Sequence, residues 1–154
     1  MNCFTVRTVR DEEIADAIEL AKRVFLEFEA PEYSDEGVRT FLNYADDENF
    51  RQSFLNKKEL FLICLSDKNI IGMINTRGCS HISMLFVDKL FHRQGVATLL
   101  IKELFKSIKE RGATKITVNS SPFAIPFYHR CGFKDIKSEQ LQNGIRFTPM
   151  ECEI

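Results

Sequence analysis

The chain has 154 residues and a mass of 17.8 kDa, which fits one domain around one core. Hydrophobic residues make up 44% of it, 14 Phe among them, so a mainly disordered chain is excluded. Lys and Arg number 21 against 22 Asp and Glu, and this net charge of -1 argues against a nucleic-acid partner, which would call for a basic excess.

The charge is unevenly spread. From Asp11 to Glu36 ten acids face only Lys22 and Arg23, a net of -8, whereas Lys89 to Lys137 holds ten Lys and Arg against Glu103, Glu110 and Asp135, a net of +7. Two sites of opposite character are expected. The five cysteines (Cys3, Cys64, Cys79, Cys131, Cys152) are odd in number with no close pair. Met1-Asn2-Cys3-Phe4 offers neither a basic nor an apolar leader segment, and no apolar run approaches the about 20 residues of a membrane span. These features point to free thiols in a reducing cytoplasm, with no membrane partner.

In chain order, Phe4 to Arg10 alternates as a first strand. Asp11 can cap a helix in which Ile14, Ala17, Ile18, Ala21, Val24, Phe25 and Phe28 recur at helical spacing until Pro31. A second helical region is expected from Tyr33 to Asn56, capped by Ser34, with Phe41, Leu42, Phe50 and Phe54 buried. Leu60–Leu65 and Ile70–Ile74 flank Ser66-Asp67-Lys68-Asn69 as a hairpin. His81 to Val87 reads as a central strand, with Ile82, Met84 and Phe86 on one face and His81, Ser83, Leu85 and Val87 on the other. Val96 to Arg111 is an amphipathic helix stopped by Gly112. A strand over Lys115–Asn119 precedes a helix opened by Ser121-Pro122 and running to Gly132. Two last strands turn at Asn143-Gly144. The order predicts an α/β domain with a mixed sheet covered by helices.

The chemistry concentrates between Leu85 and Leu100, where a strand ends, a loop passes through Gly95 and a helix begins. Several backbone N–H groups then meet at the positive end of a helix dipole, a site suited to a pyrophosphate. Gly95 and the small Ala97 allow close approach of the phosphate to the backbone, and Arg93 adds a cation. An ordinary strand-loop-helix connection would also contain such a glycine. There is no Gly-Lys-Ser/Thr phosphate loop and no Gly-x-Gly-x-x-Gly dinucleotide fingerprint.

His92-Arg93-Gln94-Gly95-Val96-Ala97 resembles the Gln/Arg-x-x-Gly-x-Gly/Ala loop of the GCN5-related N-acetyltransferases (GNAT), with His92 in place of Gln or Arg. Ser121-Pro122-Phe123-Ala124-Ile125-Pro126-Phe127-Tyr128-His129-Arg130-Cys131-Gly132-Phe133 is similar to the family's Asn-x-x-Ala-x-x-Phe-Tyr-x-x-x-Gly-Phe segment, with Ser121 at the Asn position. The two motifs stand in the family's order.

The resemblance implies a single GNAT domain over residues 1–154, with a mixed, mostly antiparallel central sheet flanked by helices. It also implies acetyl-CoA as cosubstrate. Its contacts would come from Leu85, Phe86 and Val87 on the strand, from His92, Arg93, Gln94, Gly95, Val96, Ala97 and Thr98 on the loop and helix start, and from Asn119 and Ser121. The reaction implied is acetyl transfer to a primary amine, of a small molecule or of a protein, by direct attack in a ternary complex. Tyr128 stands where the family carries the acid for the departing thiolate; the other reading of Tyr128 is a core aromatic with a hydrogen-bonded tip.

Backbone N–H groups near Phe86 and Val87 would polarise the thioester carbonyl. No Glu lies on the central strand, which leaves His81 and Ser83 as weak candidates for the base and Asn119 to orient substrate or water. A water relay would need no dedicated base. Cys131 reads as a buried structural thiol, and neither Cys79-x-His81 nor His129-x-Cys131 has the partner pair of a metal site. Phe25, Phe28, Tyr33 and the acids Glu27, Glu29 and Glu32 would wall the acceptor cleft, or the acids simply form a solvated face. A non-catalytic acyl-CoA-binding module remains the alternative, and a homodimer is left open.

Overall fold

The computed structural model describes residues 3–55 and 59–154. Strands β1 (Phe4–Thr8), β2 (Phe61–Ser66), β3 (Asn69–Arg77) and β4 (His81–Val87) form an antiparallel meander. β5 (Lys115–Ser120) continues the sheet parallel to β4. β6 (Lys134–Asp135) and β7 (Gln140–Gln142) both pair antiparallel with β8 (Ile145–Glu153), which lies against β5. The sheet order is β1-β2-β3-β4-β5-β8-β6, mixed and mostly antiparallel as expected.

Helices α1 (Ile14–Val24), α2 (Asp35–Asp46) and α3 (Glu48–Ser53) cover one face, and α4 (Val96–Glu110) and α5 (Ile125–Arg130) the other. Each face buries its own apolar cluster. Ile18, Phe25, Ile63, Met73 and Met84 build the first, and Ile74, Leu100, Leu104, Ile116 and Met150 the second. The alternation of β3, with Met73 on one side and Ile74 on the other, follows from the period of two of an extended chain.

The first helix departs from a continuous α-helix at both ends. It opens with a 3-10 turn (Asp11–Glu13), because the Glu13 carboxylate folds back onto the Arg7 guanidinium with two contacts of 2.9 Å and accepts from the Arg10 N–H at 2.8 Å. It closes in a π turn (Phe25–Glu29) followed by a 3-10 turn (Ala30–Glu32) containing Pro31. The next region divides in two. Ser34 caps α2 as expected, accepting from the Gly37 N–H, and Asp47 caps α3 by accepting from the Phe50 N–H at 3.1 Å. Asn56, the end of the expected region, lies outside the described residues. Of the positions expected to be buried here only Phe54 is; Phe41, Leu42 and Phe50 are half-buried.

Two backbone features shape the site. A register shift in the β3–β4 ladder next to Ser83 sends Ile82 into the α4-side cluster while Met84 and Phe86 join the α1-side one, so the simple alternation expected for this strand breaks there. β4 and β5 pair only at His81–Thr117 and Ile82–Val118, after which the two strands part.

The Asn143-Gly144 turn between β7 and β8, with φ of +52° and +80°, is the expected hairpin. It docks on α2 at a glycine-to-glycine contact: a Cβ on either Gly37 or Gly144 would fall on the backbone of the other. The Thr40 hydroxyl donates to the Asn143 carbonyl at 2.7 Å.

Candidate active site

Past Ile82 the edge of β4 that faces β5 has no strand partner. The Asp88 N–H donates to the Ile71 carbonyl across β3. Alternation along an antiparallel pair therefore turns the backbone of Phe86 toward β3 and the N–H groups of Leu85 and Val87 outward into the gap. The outward donors are thus Leu85 and Val87, rather than Phe86 and Val87. The Phe86 side chain serves the site instead, from the wall.

From the end of β4, Asp88 caps a short turn by accepting from the Leu90 N–H at 2.9 Å. The chain then passes His92 to Gly95 into α4. Arg93 and Gly95 both have positive φ, +62° and +82°. That geometry gathers backbone N–H groups into an anion-binding concavity. α4 has no side-chain N-cap, so its first-turn donors are left for a ligand. A Cβ at Gly95 would meet nothing within 4 Å, so the space before it is open.

His92 is tied to the end of the strand. Its Nε2 donates to the Val87 carbonyl at 2.7 Å and its ring lies 4.8 Å from that of Phe28, which fastens the loop to the end of β4. Gln94 points elsewhere, with its side-chain amide on the Leu90 carbonyl at 3.2 Å.

A cavity of ≈ 490 Å³ opens along this edge. The unpaired end of β4 (Leu85, Phe86, Val87) forms its floor, and the loop and first turn of α4 (His92, Arg93, Gly95, Val96, Ala97, Thr98) form one end. Tyr128 and Arg130 of α5 close the other side. Arg130 was not foreseen; its signal was its place just after the aromatic pair of α5.

Tyr128 is 4% exposed, yet its hydroxyl has no hydrogen-bond partner among the described residues. A core tyrosine with a bonded tip would show one. Burial, with the nearby Glu29 charge adding to it, pushes the phenol pKa far above its ordinary value, so it holds its proton at neutral pH.

A second cavity of ≈ 360 Å³ lies across the split sheet, toward α2 and the β7–β8 hairpin. Asn119 and Ser121, expected beside the cofactor, line this cavity and not the first. The parting of β4 from β5 puts the end of β5 on the other side of the opening. Glu29 and Phe86 are the two residues that line both cavities.

Glu29 ends the π turn, and burial pushes its carboxyl up to about 7 although the Ser121 hydroxyl, as a hydrogen-bond donor to it, pulls the other way. Sequence reading placed this acid in a group of three. The structure separates them: Glu27 pairs with Lys89 at 2.8 Å and Glu32 with Arg146 at 3.4 Å on the surface, and Glu29 alone turns inward.

The earlier candidates for a base fit poorly. His81 lines the second cavity, but burial and the Arg77 charge lower its pKa to about 4, and its Nδ1 is engaged with the Thr117 hydroxyl at 2.8 Å. The Ser83 hydroxyl is bonded to the Tyr44 hydroxyl at 2.6 Å. Cys131 lines neither cavity and is half-buried, with burial raising its thiol pKa.

The profile of the acetyltransferase (GNAT) domain matches residues 29–154, and the chain belongs to that family. It is 35% identical over 103 residues to the uncharacterized N-acetyltransferase YafP of Escherichia coli K12, an alignment covering 66% of this chain and 64% of that one. It is 28% identical over 140 residues to the uncharacterized N-acetyltransferase MJ1207 of Methanocaldococcus jannaschii, covering 86% and 61%. The chain thus spans just over three-fifths of the length of these curated relatives.

Among solved structures, a GCN5-related N-acetyltransferase from Rhodopseudomonas palustris superposes with a TM-score of 0.84 at 27% identity, covering 97% of this chain and 95% of that one. The PaiA N-acetyltransferase of Thermoplasma acidophilum, solved with coenzyme A, shares the fold with a TM-score of 0.80 at 21% identity over 99% of both chains. No helix among the described residues is long and apolar enough to cross a membrane.

Proposed function

We propose that residues 1–154 form one acetyltransferase domain that moves an acetyl group from acetyl-CoA to a primary amine by direct attack, working in the cytoplasm as the thiol content suggests. One observation carries this reading: two cavities on opposite sides of the parted strands share Glu29 and Phe86, and Tyr128 faces one of them from α5. The larger fits the cosubstrate. The concavity at Arg93 and Gly95 suits the pyrophosphate, with Arg93 and Arg130 as cations, and the free N–H groups of Leu85 and Val87 suit the pantetheine arm and the thioester oxygen. A pure binding module would need only this half. The smaller cavity suits the acceptor, a small molecule in preference to a protein chain.

The acceptor arrives as an ammonium and cannot attack in that form. The Glu29 carboxylate takes a proton from it, and a pKa near 7 lets Glu29 accept at neutral pH and return the proton to solvent. The nitrogen forms a bond to the acetyl carbon and the carbon–sulfur bond breaks. Tyr128, held protonated by burial, donates its hydrogen bond and then its proton as charge develops on sulfur. The second nitrogen proton, lost as the amide forms, restores the Tyr128 phenol, and the proton held by Glu29 passes to solvent, so one proton is released per turnover.

Acceptor-dependent thiol release from acetyl-CoA tests the reading. Tyr128→Phe is expected to lower kcat by about 100-fold with acetyl-CoA affinity unchanged, the mark of an interaction made only in the transition state. Tight acetyl-CoA binding without acceptor-dependent release across a broad set of amines would refute enzymatic function and leave the binding-module reading.

A further inference from the structure

The acceptor cavity has an unusual wall for an amine site, since it is aromatic and nearly free of charge. Phe25 stacks on Phe41 at 3.9 Å between ring centroids and on Tyr33 at 5.7 Å, and Phe41 meets Phe86 edge-on at 5.7 Å. Tyr44 and Phe147 extend the lining.

Some of the polar side chains among these rings are satisfied by neighbours. Tyr44 is bonded to Ser83, and His81, held neutral, to Thr117. Asn119, Gln142 and Asn143 complete the lining toward β5 and the β7–β8 hairpin. Among the described residues, the charged ones in the lining are Glu29 at the junction with the cosubstrate cavity and the exposed Arg77.

The acidic segment that borders the site offers no second carboxylate inside. Glu27, Glu32 and Asp46 are each held in ion pairs, with Lys89, Arg146 and Lys22 respectively, and none of them lines the cavity. A polyamine would bring its further ammonium groups toward Arg77 and away from any second carboxylate, with only the weaker cation–π attraction of the rings to offset their desolvation. The volume of ≈ 360 Å³ lies at the small end for ligand sites. The β7–β8 hairpin, locked to α2 at Gly37 and Gly144, walls one side of the cavity and narrows the room for a longer acceptor.

We infer that the acceptor is a small primary monoamine with an aromatic or apolar body, seated with its ammonium at Glu29 and its body among Phe25, Phe41, Phe86 and Phe147. This rests on the acetyl-transfer reading above. One carboxylate neutralises one ammonium, and the rings bury the rest by contact and by cation–π attraction near the nitrogen.

The test measures thiol release with acetyl-CoA and three acceptors in parallel: 2-phenylethylamine, spermidine and a lysine-containing peptide. The expected result is a kcat/KM for 2-phenylethylamine at least tenfold above the other two. Phe41→Leu and Phe41→Ala are each expected to raise its KM several-fold while leaving the KM for acetyl-CoA in place. Spermidine or the peptide as the best acceptor would overturn this inference and leave the acetyl-transfer reading standing. No release with any of the three, with acetyl-CoA still bound, would overturn both. An unchanged KM for 2-phenylethylamine in a folded Phe41→Ala protein would remove the body of the acceptor from this cavity.

Discussion

Gly95 allows charge and shape to be separated where the pyrophosphate is proposed to bind. Its φ of +82° lies in the left-handed region, where an L-residue is disfavoured by about 1–2 kcal/mol, least for Asn and Asp. A side chain there also shrinks the unfolded ensemble, which offsets about 0.4–1 kcal/mol. Since a Cβ meets nothing within 4 Å, no clash adds to this, and Gly95→Asn and Gly95→Asp should each lose only about 1 kcal/mol of stability. Both place the same atoms where the pyrophosphate is proposed to sit, and one of them adds a negative charge. A like charge about 5 Å away at an effective dielectric near 20 is repelled by about 3 kcal/mol, or roughly two decades in affinity. Calorimetric titration with CoA should therefore find Gly95→Asp binding about 100-fold more weakly than Gly95→Asn. The gap should narrow as salt is raised, because this pair is exposed to solvent. If the two variants bind CoA within threefold of each other at low salt, the phosphates do not lie at this loop.

The rate should follow the ionisation of Glu29: with a carboxyl titrating at about 7, kcat/KM should rise roughly tenfold between pH 6 and 8, and Glu29→Gln should flatten that limb while lowering kcat by about 100-fold or more. Stability should respond in the opposite sense. A carboxyl raised from 4.5 to about 7 holds its proton in the folded state and loses it in the unfolded one, so stability falls as pH rises between those values. Glu29→Gln should accordingly match the wild type in thermal unfolding at pH 4.5 and exceed it by ~1–3 kcal/mol at pH 8. Conversely, Arg7 holds the Glu13 carboxyl at about 2, so Glu13→Gln should weaken the protein at neutral pH and lose that effect as acid takes the wild type down through 4.5 toward 2. Asn75 is 0% exposed and neither of its amide atoms finds a partner, so Asn75→Leu should raise the urea midpoint by the equivalent of ~1–3 kcal/mol; a fall would reveal a partner for the amide.

Much of the fold was legible from spacing. The Ser34 and Ser121 caps, the Asn143-Gly144 turn and the long helix ending before Gly112 each rest on a local rule, and each stands where that rule puts it. The strand–loop–helix junction at Gly95 was legible for the same reason, since a strand, a glycine and a helix are adjacent in sequence.

What escaped notice depends on breaks in regularity. A period of 3.6 carries Phe25 and Phe28 forward on one face, but a π turn adds a residue and re-aims everything after it, so nothing in the pattern singled Glu29 out from Glu27 and Glu32. Ion pairs settled that choice, and their partners, Lys89 and Arg146, are 62 and 114 residues away. Asn119 and Ser121 were expected beside the cofactor because their motif follows the loop; that β4 and β5 part after two residue pairs is a tertiary fact with no local mark.

The π turn makes the position of Glu29 a matter of counting along the backbone rather than of side-chain chemistry. Removing one residue from Phe25–Phe28 would let the helix run on in its ordinary register and swing the carboxylate about 100° around the axis, out of the junction. Such a chain would keep the loop at Gly95 and the carboxylate itself, and would still lack the base proposed for Glu29. Among relatives, a gain or loss of a single residue at this turn should therefore divide proteins that bind the cosubstrate from those that use it, even where each residue of the site is retained.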